Sequence, residues 1–386
     1  MENNNDNKTL EERKSPVTLR GEHGNTRPVR CGNVTIGGGS RISVQSMTNT
    51  DTRDVCATAR QITELARAGC DIVRCAAPDA EAARALGEIK NRLAGDGIYV
   101  PVVADIHFDY RLALLAIENG ADKIRINPGN IGDRAKLREI ADAARAAGIP
   151  LRIGVNSGSI EKGILARLGR GAEALARSAL ADIEIFESFG FRDLIVSVKS
   201  SDVRENYEAA RLIAAETDCP QHIGITESGA GGRALAKSSI GIGSLLLAGI
   251  GDTLRVSLTG DPVREVRAGR DILASLGLLP GAIDVISCPT CGRCRIDLER
   301  VAAEVRAGLA EAESARMRAA EAGVDVPPLC VAVMGCAVNG PGEASHADAG
   351  VACGEGKGVI FVKGEIEGTV RGEDIARVLC GKAQKF

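Results

Sequence analysis

Aromatic side chains are scarce in this sequence. Of its 386 residues only 2% are aromatic, and tryptophan is absent. A hydrophobic core must therefore be built from Ala, Val, Ile and Leu, and so few rings argue against a stacking surface for single-stranded nucleic acid. Because hydrophobic residues make up 44% of the chain, a sizeable core can still be buried.

An excess of one charge sign and a long apolar run are also lacking. The net charge is −3, and acids and bases are mixed along the chain, so we expect no electrostatic footprint for nucleic acid or membrane. The longest apolar stretch, SLLLAGI (244–250), is too short to span a bilayer. The N-terminal stretch has no apolar signal core. We therefore expect a soluble, cytoplasmic protein with a flexible tail over residues 1–25.

Short β-branched runs alternate with helical stretches. The helical stretches 54–69, 111–120 and 133–148 each end in Gly, a helix stop signal. This alternation predicts an α/β fold with an N-terminal (β/α)8 TIM barrel over residues 26–280. A doubly wound sheet is the alternative, although TNTDTRD after the first strand lacks its glycine fingerprint. The segment 27–41 has hairpin character and is expected to close the bottom of the barrel. Eight runs are predicted strands: 42–47, 71–77, 100–106, 122–129, 151–156, 193–199, 222–228 and 253–259.

Five predicted strands each carry a cation: Arg74, Arg125, Arg152, Lys199 and Arg255. Each could by itself form an ion pair at a strand end. Together they indicate a multiply anionic ligand, most simply a diphosphate, because buried cations need anionic partners and TIM-barrel active sites lie at the C-terminal ends of the strands.

Further polar side chains follow the same strands. They are Asp105, His107, Asn156 and Glu227. Their position indicates a catalytic pocket, and we favour Glu227 for acid–base work, because burial can tune a carboxyl group toward neutrality.

The pattern changes after about Gly281, which predicts a second, α+β domain over residues 281–386. It holds a Cys-rich loop, a charged helical stretch (295–323), and then strands and turns. A cytosolic chain with twelve cysteines is not expected to be a disulfide framework. Eight of them are scattered and are interpreted as small hydrophobic residues: Cys31, Cys56, Cys70, Cys75, Cys219, Cys330, Cys353 and Cys380.

The remaining cysteines suggest a metal centre. Cys288 and Cys291 form a C-x2-C pair, a spacing that lets two thiolates bind one metal centre from a tight turn. Cys336 supplies a distant third thiol, and Glu343 follows in a glycine-rich loop. Cys294 forms a second C-x2-C with Cys291, but the second separate pair of a closed zinc site is absent. The spacing favours iron–sulfur, while zinc and the absence of a metal remain open.

Eight motifs carry a resemblance to a known family. They resemble the 4-hydroxy-3-methylbut-2-enyl diphosphate synthases, iron–sulfur oxidoreductases of the methylerythritol phosphate pathway to isoprenoids. The similarity runs from about residue 27 to the C-terminus. The motifs are VQSMTNTDTRD, VADIHFD, KIRINPGNIG, RIGVNSGS, VSVKSSD, GITESG, SCPTCGR and VMGCAVNGPGEA.

The resemblance implies a two-domain bacterial enzyme whose C-terminal iron–sulfur domain is similar to a sulfite-reductase module. The implied reaction is reductive ring opening and dehydroxylation of 2-C-methyl-D-erythritol 2,4-cyclodiphosphate, with two electrons delivered one at a time through one 4Fe-4S cluster per chain. Ferredoxin and flavodoxin both remain open as the electron donor. The family's homodimer, in which the cluster domain of one chain caps the barrel of the other, is expected here because the linker near 276–284 is short.

Site residues also follow from the resemblance. Cys288, Cys291 and Cys336 would bind three irons, and Glu343 the fourth until substrate displaces it. Glu227 would be the essential carboxylate. Cys294 and the lengthened helical stretch 305–323 have no implied role. The substrate would be surrounded by Arg74, Asp105, His107, Arg125, Arg152, Asn156, Lys199, Arg255 and Ser257, with Asn339 reaching it from the cluster side.

Two other functions are compatible with parts of the sequence. A sugar-phosphate aldolase or isomerase, without metal or with zinc, would use Lys199 as a Schiff-base amine. A non-enzymatic electron carrier or structural metal protein would leave the five barrel cations unexplained.

Overall fold

The computed structural model describes residues 26–336, 342 and 344–386. Two compact units divide the chain, with the boundary between Ile272 and Leu273. The boundary expected from the sequence, after residue 280, stays a prediction, and the expected tail over 1–25 lies outside the described residues. In the described part of the chain, no helix has the length and apolar character needed to cross a membrane.

The first unit is a barrel of eight parallel strands, preceded by an antiparallel hairpin of β1 (Val29–Cys31) and β2 (Val34–Ile36). The strand order is β8-β7-β6-β5-β4-β3-β10-β9, and a bridge from Val196 to Gln221 brings the two ends of the sheet together. This confirms the predicted TIM barrel. The barrel strands are β3 (Ser43–Met47), β4 (Ile72–Ala76), β5 (Val102–Asp105), β6 (Lys123–Ile126), β7 (Leu151–Asn156), β8 (Leu194–Lys199), β9 (His222–Ile223) and β10 (Thr253–Leu254).

Aspartate caps start many of the barrel helices. The side chains of Asp54, Asp79 and Asp202, for example, each accept a hydrogen bond from a backbone amide in the first helical turn. Gly148, in the left-handed conformation at φ 65°, ends another helix. The helices are α1 (Val55–Arg67), α2 (Ala80–Gly95), α3 (Tyr110–Glu118), α4 (Pro128–Ile131), α5 (Arg134–Ala147), α6 (Lys162–Leu168), α7 (Ala172–Ser188), α8 (Val203–Glu216), α9 (Gly231–Leu247) and α10 (Pro262–Ser275).

The N-terminal hairpin packs on apolar side chains of the barrel strands. A single buried cluster joins hairpin and barrel residues, namely Val29, Cys31, Ile36, Ile72, Val103 and Ile195. This contact agrees with the hairpin expected from the sequence.

The second unit is a five-stranded mixed sheet covered by helices. Strands β11 to β13 are parallel, and β14 and β15 continue the sheet antiparallel. Valines of the long charged helix α11, such as Val301 and Val305, pack against Val331 and Val351 of the sheet. A 3-10 turn, Gly372–Asp374, precedes the last helix. The elements are β11 (Ile283–Ser287), α11 (Leu298–Glu321), β12 (Leu329–Met334), β13 (Ala349–Gly354), β14 (Lys357–Val362), β15 (Glu365–Arg371) and α12 (Ile375–Ala383).

Close packing at Gly350 yields a test of this sheet. A Cβ atom at Gly350 would lie 2.3 Å from the Phe361 ring and 3.0 Å from the Ala332 Cβ. Gly350→Ala should therefore force the ring aside and destabilise the second unit by about 1–3 kcal/mol. Hydrogen exchange of the amides of β12 to β14 measures this loss. Gly354→Ala in the same strand is the control, because its Cβ would meet only the Lys357 carbonyl, at 3.8 Å. Equal exchange in both variants would contradict the packing argument.

Candidate active site

Asp105 gathers cationic side chains at the end of β5. Its Oδ1 lies 3.1 Å from Arg125 Nη1, and its Oδ2 lies 3.8 Å from Arg74 Nε and 3.4 Å from His107 Nε2. Burial alone would raise the pKa of Asp105, but the charge of Arg74, the hydrogen bond with His107 and the charges of Arg125 and Arg152 together lower it well below its usual range. The carboxylate therefore stays ionised and holds these side chains at one place.

Two further cations, Arg152 and Lys199, lie near this cluster. Arg152 is 2% exposed, and its Nε and Nη2 have no hydrogen-bond partner among the described residues. Burial, followed by the charges of Arg152 and Arg255, lowers the pKa of Lys199 well below its ordinary value. The Lys199 Nζ lies 3.5 Å from Nε2 of the buried His222. Donors left unpaired among like charges favour an anionic ligand.

Arg255 binds a carboxylate that the sequence analysis missed. Its Nε and Nη2 lie 3.2 Å from Oε2 and Oε1 of Glu265, respectively. Glu265 is 3% exposed and stands in the first turn of α10. Its position at a helix start, ten residues after a partly buried arginine that follows a strand, is a signal that could have identified it.

Met47 is a second residue that the sequence analysis missed. Its Sδ lies 3.2 Å from Nε and 2.9 Å from Nη2 of Arg74, and 3.9 Å from Nη1 of Arg255. Met47 ends β3, which lies between β4 and β10, the strands that lead to these two arginines. The thioether therefore contacts two of the predicted ligand-binding cations.

The other predicted barrel residues are set apart from the Asp105 cluster. Asn156 Oδ1 accepts a hydrogen bond of 3.0 Å from the Gly158 amide and so shapes the turn after β7. Ser257 is half-buried. Glu227 is exposed, contrary to the burial that its predicted role invoked, and its φ of +53° is in the left-handed region. Within the described part of the chain, neither Glu227 nor Ser257 is hydrogen-bonded to the cluster.

The cysteine loop of the second unit contacts the end of β12. The Gly335 amide donates a hydrogen bond of 3.2 Å to Cys288 Sγ, which brings the predicted ligand Cys288 next to the residue that precedes Cys336. The loop itself is tightly turned, since the Cys294 amide donates to the Cys291 carbonyl at 2.9 Å. Two segments far apart in the sequence therefore meet at the predicted cluster site.

The cysteines of the second unit differ in their surroundings. Burial, followed by the charges of Asp284 and Asp348, raises the pKa of Cys330 to about 11, and burial raises that of Cys353 to about 12. An amide donating to sulfur, as at Cys288, is a contact typical of iron–sulfur sites.

The predicted ligand set is only partly visible. Cys291 is exposed and Cys336 is partly buried. Among the described residues no three Cys, His, Asp or Glu side chains form a group that could hold a metal ion. The predicted ligand Glu343 and the predicted substrate contact Asn339 lie outside the described residues. Cys294 donates to the Ile296 carbonyl at 3.3 Å.

Comparisons with known proteins cover both units. Residues 26–270 match the GcpE TIM-barrel domain, and residues 284–385 match the GcpE protein C-terminal domain. Among solved structures, a dihydropteroate synthase from Xanthomonas albilineans aligns with 64% of this chain and 96% of its own at 18% identity, with a TM-score of 0.45, values too low to support an inference.

Curated relatives agree with these domains along nearly the whole chain. One from Caldanaerobacter subterraneus is 51% identical over 94% of this chain and 97% of its own. One from Clostridium acetobutylicum is 52% identical over 91% and 95%, and one from Geobacter sulfurreducens is 52% identical over 94% and 98%. All three are named 4-hydroxy-3-methylbut-2-en-1-yl diphosphate synthase (flavodoxin). The resemblance seen in the sequence motifs is confirmed, and this chain belongs to the GcpE family.

Proposed function

We propose that this chain is an oxidoreductase that converts 2-C-methyl-D-erythritol 2,4-cyclodiphosphate to (E)-4-hydroxy-3-methylbut-2-enyl diphosphate in isoprenoid precursor biosynthesis. The observation that carries this proposal is the identity of about half of all residues to enzymes named for the product, over 91–94% of the chain. The reaction opens the ring, removes one oxygen as water and consumes two electrons.

The barrel cations bind the diphosphate in this proposal. Five cations, on or directly after five different strands, face two buried carboxylates, Asp105 and Glu265, so the site is short of negative charge until an anion enters. Arginine offers parallel N–H donors that match phosphate oxygens. Binding energy from the diphosphate then holds the carbon skeleton in place for the reaction. The predicted contacts are Arg74, Asp105, His107, Arg125, Arg152, Asn156, Lys199, Arg255 and Ser257, with Asn339 from the cluster domain.

Glu227 is the proposed proton donor to the oxygen that leaves as water. Its exposed side chain follows β9 at the C-terminal end of the barrel, where a bound substrate would meet it. A glutamate in the left-handed region costs about 1–2 kcal/mol relative to ordinary backbone. Such strain is typical of a position held for function.

Enzymes of this family are iron–sulfur proteins, which favours iron over zinc at the cysteine loop. Cys288, Cys291 and Cys336 would hold three irons of one 4Fe-4S cluster per chain, and Glu343 would hold the fourth. Such a group supplies single-electron transfer and a Lewis-acidic iron, which no side chain offers. The Gly335 amide would donate to the Cys288 sulfur and stabilise its thiolate.

Two partners complete the proposal. A flavodoxin is the proposed electron donor, since the relatives carry flavodoxin in their names. A homodimer is proposed in which the cluster domain of one chain caps the barrel of the other. Capping would exclude water from the reaction and bring the electron source to the substrate.

Cys336→Ser should lower the iron and sulfide content of anaerobically purified protein from about four of each per chain, because one thiolate ligand is lost. Chemical iron analysis and the visible absorption spectrum measure this change. Cys330→Ser is the matched control and should keep its cluster, since Cys330 lies within β12 and is not one of the predicted ligands. An unchanged iron content in Cys336→Ser would refute the ligand assignment.

Glu227→Gln should bind the cyclic diphosphate as the wild type does but reduce turnover by about 10²–10⁴-fold, because the amide cannot donate the proton. Calorimetry without reductant measures binding, and product formation with reduced flavodoxin measures turnover. Glu208→Gln removes an exposed carboxylate paired with Arg211 at 3.1 Å and should change neither quantity. Full activity of Glu227→Gln would exclude its catalytic role.

Mixing Glu227→Gln with Cys336→Ser should restore activity if the site spans two chains. In a mixed dimer, the intact barrel of the second variant meets the intact cluster domain of the first. Steady-state assays of the mixture after subunit exchange, compared with each variant alone, measure the recovery. A mixture as inactive as its components, despite proven exchange, would argue for a site within one chain.

A further inference from the structure

Glu265 has every strong acceptor position occupied. Besides the Nε and Nη2 of Arg255, each at 3.2 Å, it accepts hydrogen bonds from Ser46 Oγ at 2.9 Å and from the Leu258 amide at 3.0 Å. A carboxylate offers about four lone-pair directions, so these four donors satisfy it. Glu265 is also 3% exposed. It therefore has no capacity left for a ligand and can act on one only through its partners.

The contact with Glu265 fixes which edge of the Arg255 guanidinium remains available. A guanidinium carries five N–H donors in a rigid plane. Glu265 takes the edge formed by Nε and Nη2, which leaves the edge formed by Nη1 and Nη2 for another planar or tetrahedral anion. The thioether of Met47 lies 3.9 Å from Nη1, and sulfur is too weak an acceptor to compete with a phosphate.

Met47 contacts the neighbouring guanidinium as well. Its Sδ lies 3.2 Å and 2.9 Å from Nε and Nη2 of Arg74, whose Nε is also 3.8 Å from Asp105. Since β3 lies between β4 and β10, one flexible side chain fills the space between the two arginines. A polarizable side chain at this point keeps both guanidinium groups apart without neutralising either.

We propose that Glu265 and Met47 are positioning residues that hold Arg255 and Arg74 as a preformed pair of diphosphate-binding groups. The proposal rests on the proposed function, because it takes the diphosphate as the ligand of these arginines. Arginine side chains lose rotamer freedom when they bind, and a partner that fixes them beforehand removes that loss from the binding step.

Electrostatics alone predicts the opposite effect of removing Glu265. Glu265→Gln takes one negative charge from a site that binds an anion, so a simple charge effect would tighten binding of the cyclic diphosphate. Positioning predicts weaker binding, because the amide presents an NH2 group to the guanidinium and releases it from its fixed orientation. The direction of the change therefore separates the two explanations.

The experiment measures the dissociation constant of 2-C-methyl-D-erythritol 2,4-cyclodiphosphate for the oxidised holoenzyme, without reductant, by calorimetry. Glu265→Gln should weaken binding about ten- to a hundredfold. Met47→Leu, which conserves volume but removes the sulfur, should weaken it a few-fold, about two- to fivefold. Ser46→Ala keeps the charge of Glu265 but removes one of its hydrogen-bond donors, so it should also weaken binding a few-fold. This variant provides the test if Glu265→Gln does not fold.

A double-mutant cycle distinguishes positioning from a general structural role. In an Arg255→Met background, Glu265→Gln should cause no further loss of affinity, because its effect passes through Arg255. Unchanged or tighter binding by Glu265→Gln, or by Ser46→Ala where the former does not fold, would overturn the proposal. The proposal would also be overturned if Glu265→Gln weakened binding in the Arg255→Met background as much as it does in the wild-type background. Failure of the wild type to bind the cyclic diphosphate would instead overturn the proposed function itself.

Discussion

The barrel buries more positive charge than negative charge, and this imbalance is the main constraint on its structure. Removing a cation from water is costly unless a partner compensates it. Asp105 compensates in part for Arg74 and Arg125, and Glu265 does so for Arg255. Arg152 and Lys199 have no such carboxylate partner among the described residues. In the proposed function, the diphosphate would supply the missing negative charge.

The barrel was predictable from the sequence for a physical reason. Parallel strands covered on both faces are almost continuously apolar, so each strand is visible as a short β-branched run and each cation as an interruption of one. The same pattern predicted the last two strands to be longer than they are. β9 and β10 are only two residues long, His222–Ile223 and Thr253–Leu254, and positive φ angles follow β9 at Gly224 and Glu227.

The partners of the site residues were not predictable in the same way. Met47 meets Arg255, and Ser46 meets Glu265, through the closure of the barrel, which brings β10 beside β3. Likewise the contact between Cys288 and Gly335 joins residues 47 positions apart. Hydrophobic periodicity carries no information on such pairs. The motifs nevertheless identified the family.

The left-handed backbone at Glu227 has a consequence for engineering. Glycine adopts this conformation without steric cost, so a glycine there would relieve the strain of a φ of +53°. Selection for thermal stability alone would therefore favour replacement of Glu227 by glycine. Because Glu227 is the proposed proton donor, screens for more stable versions of this enzyme need to select for turnover as well.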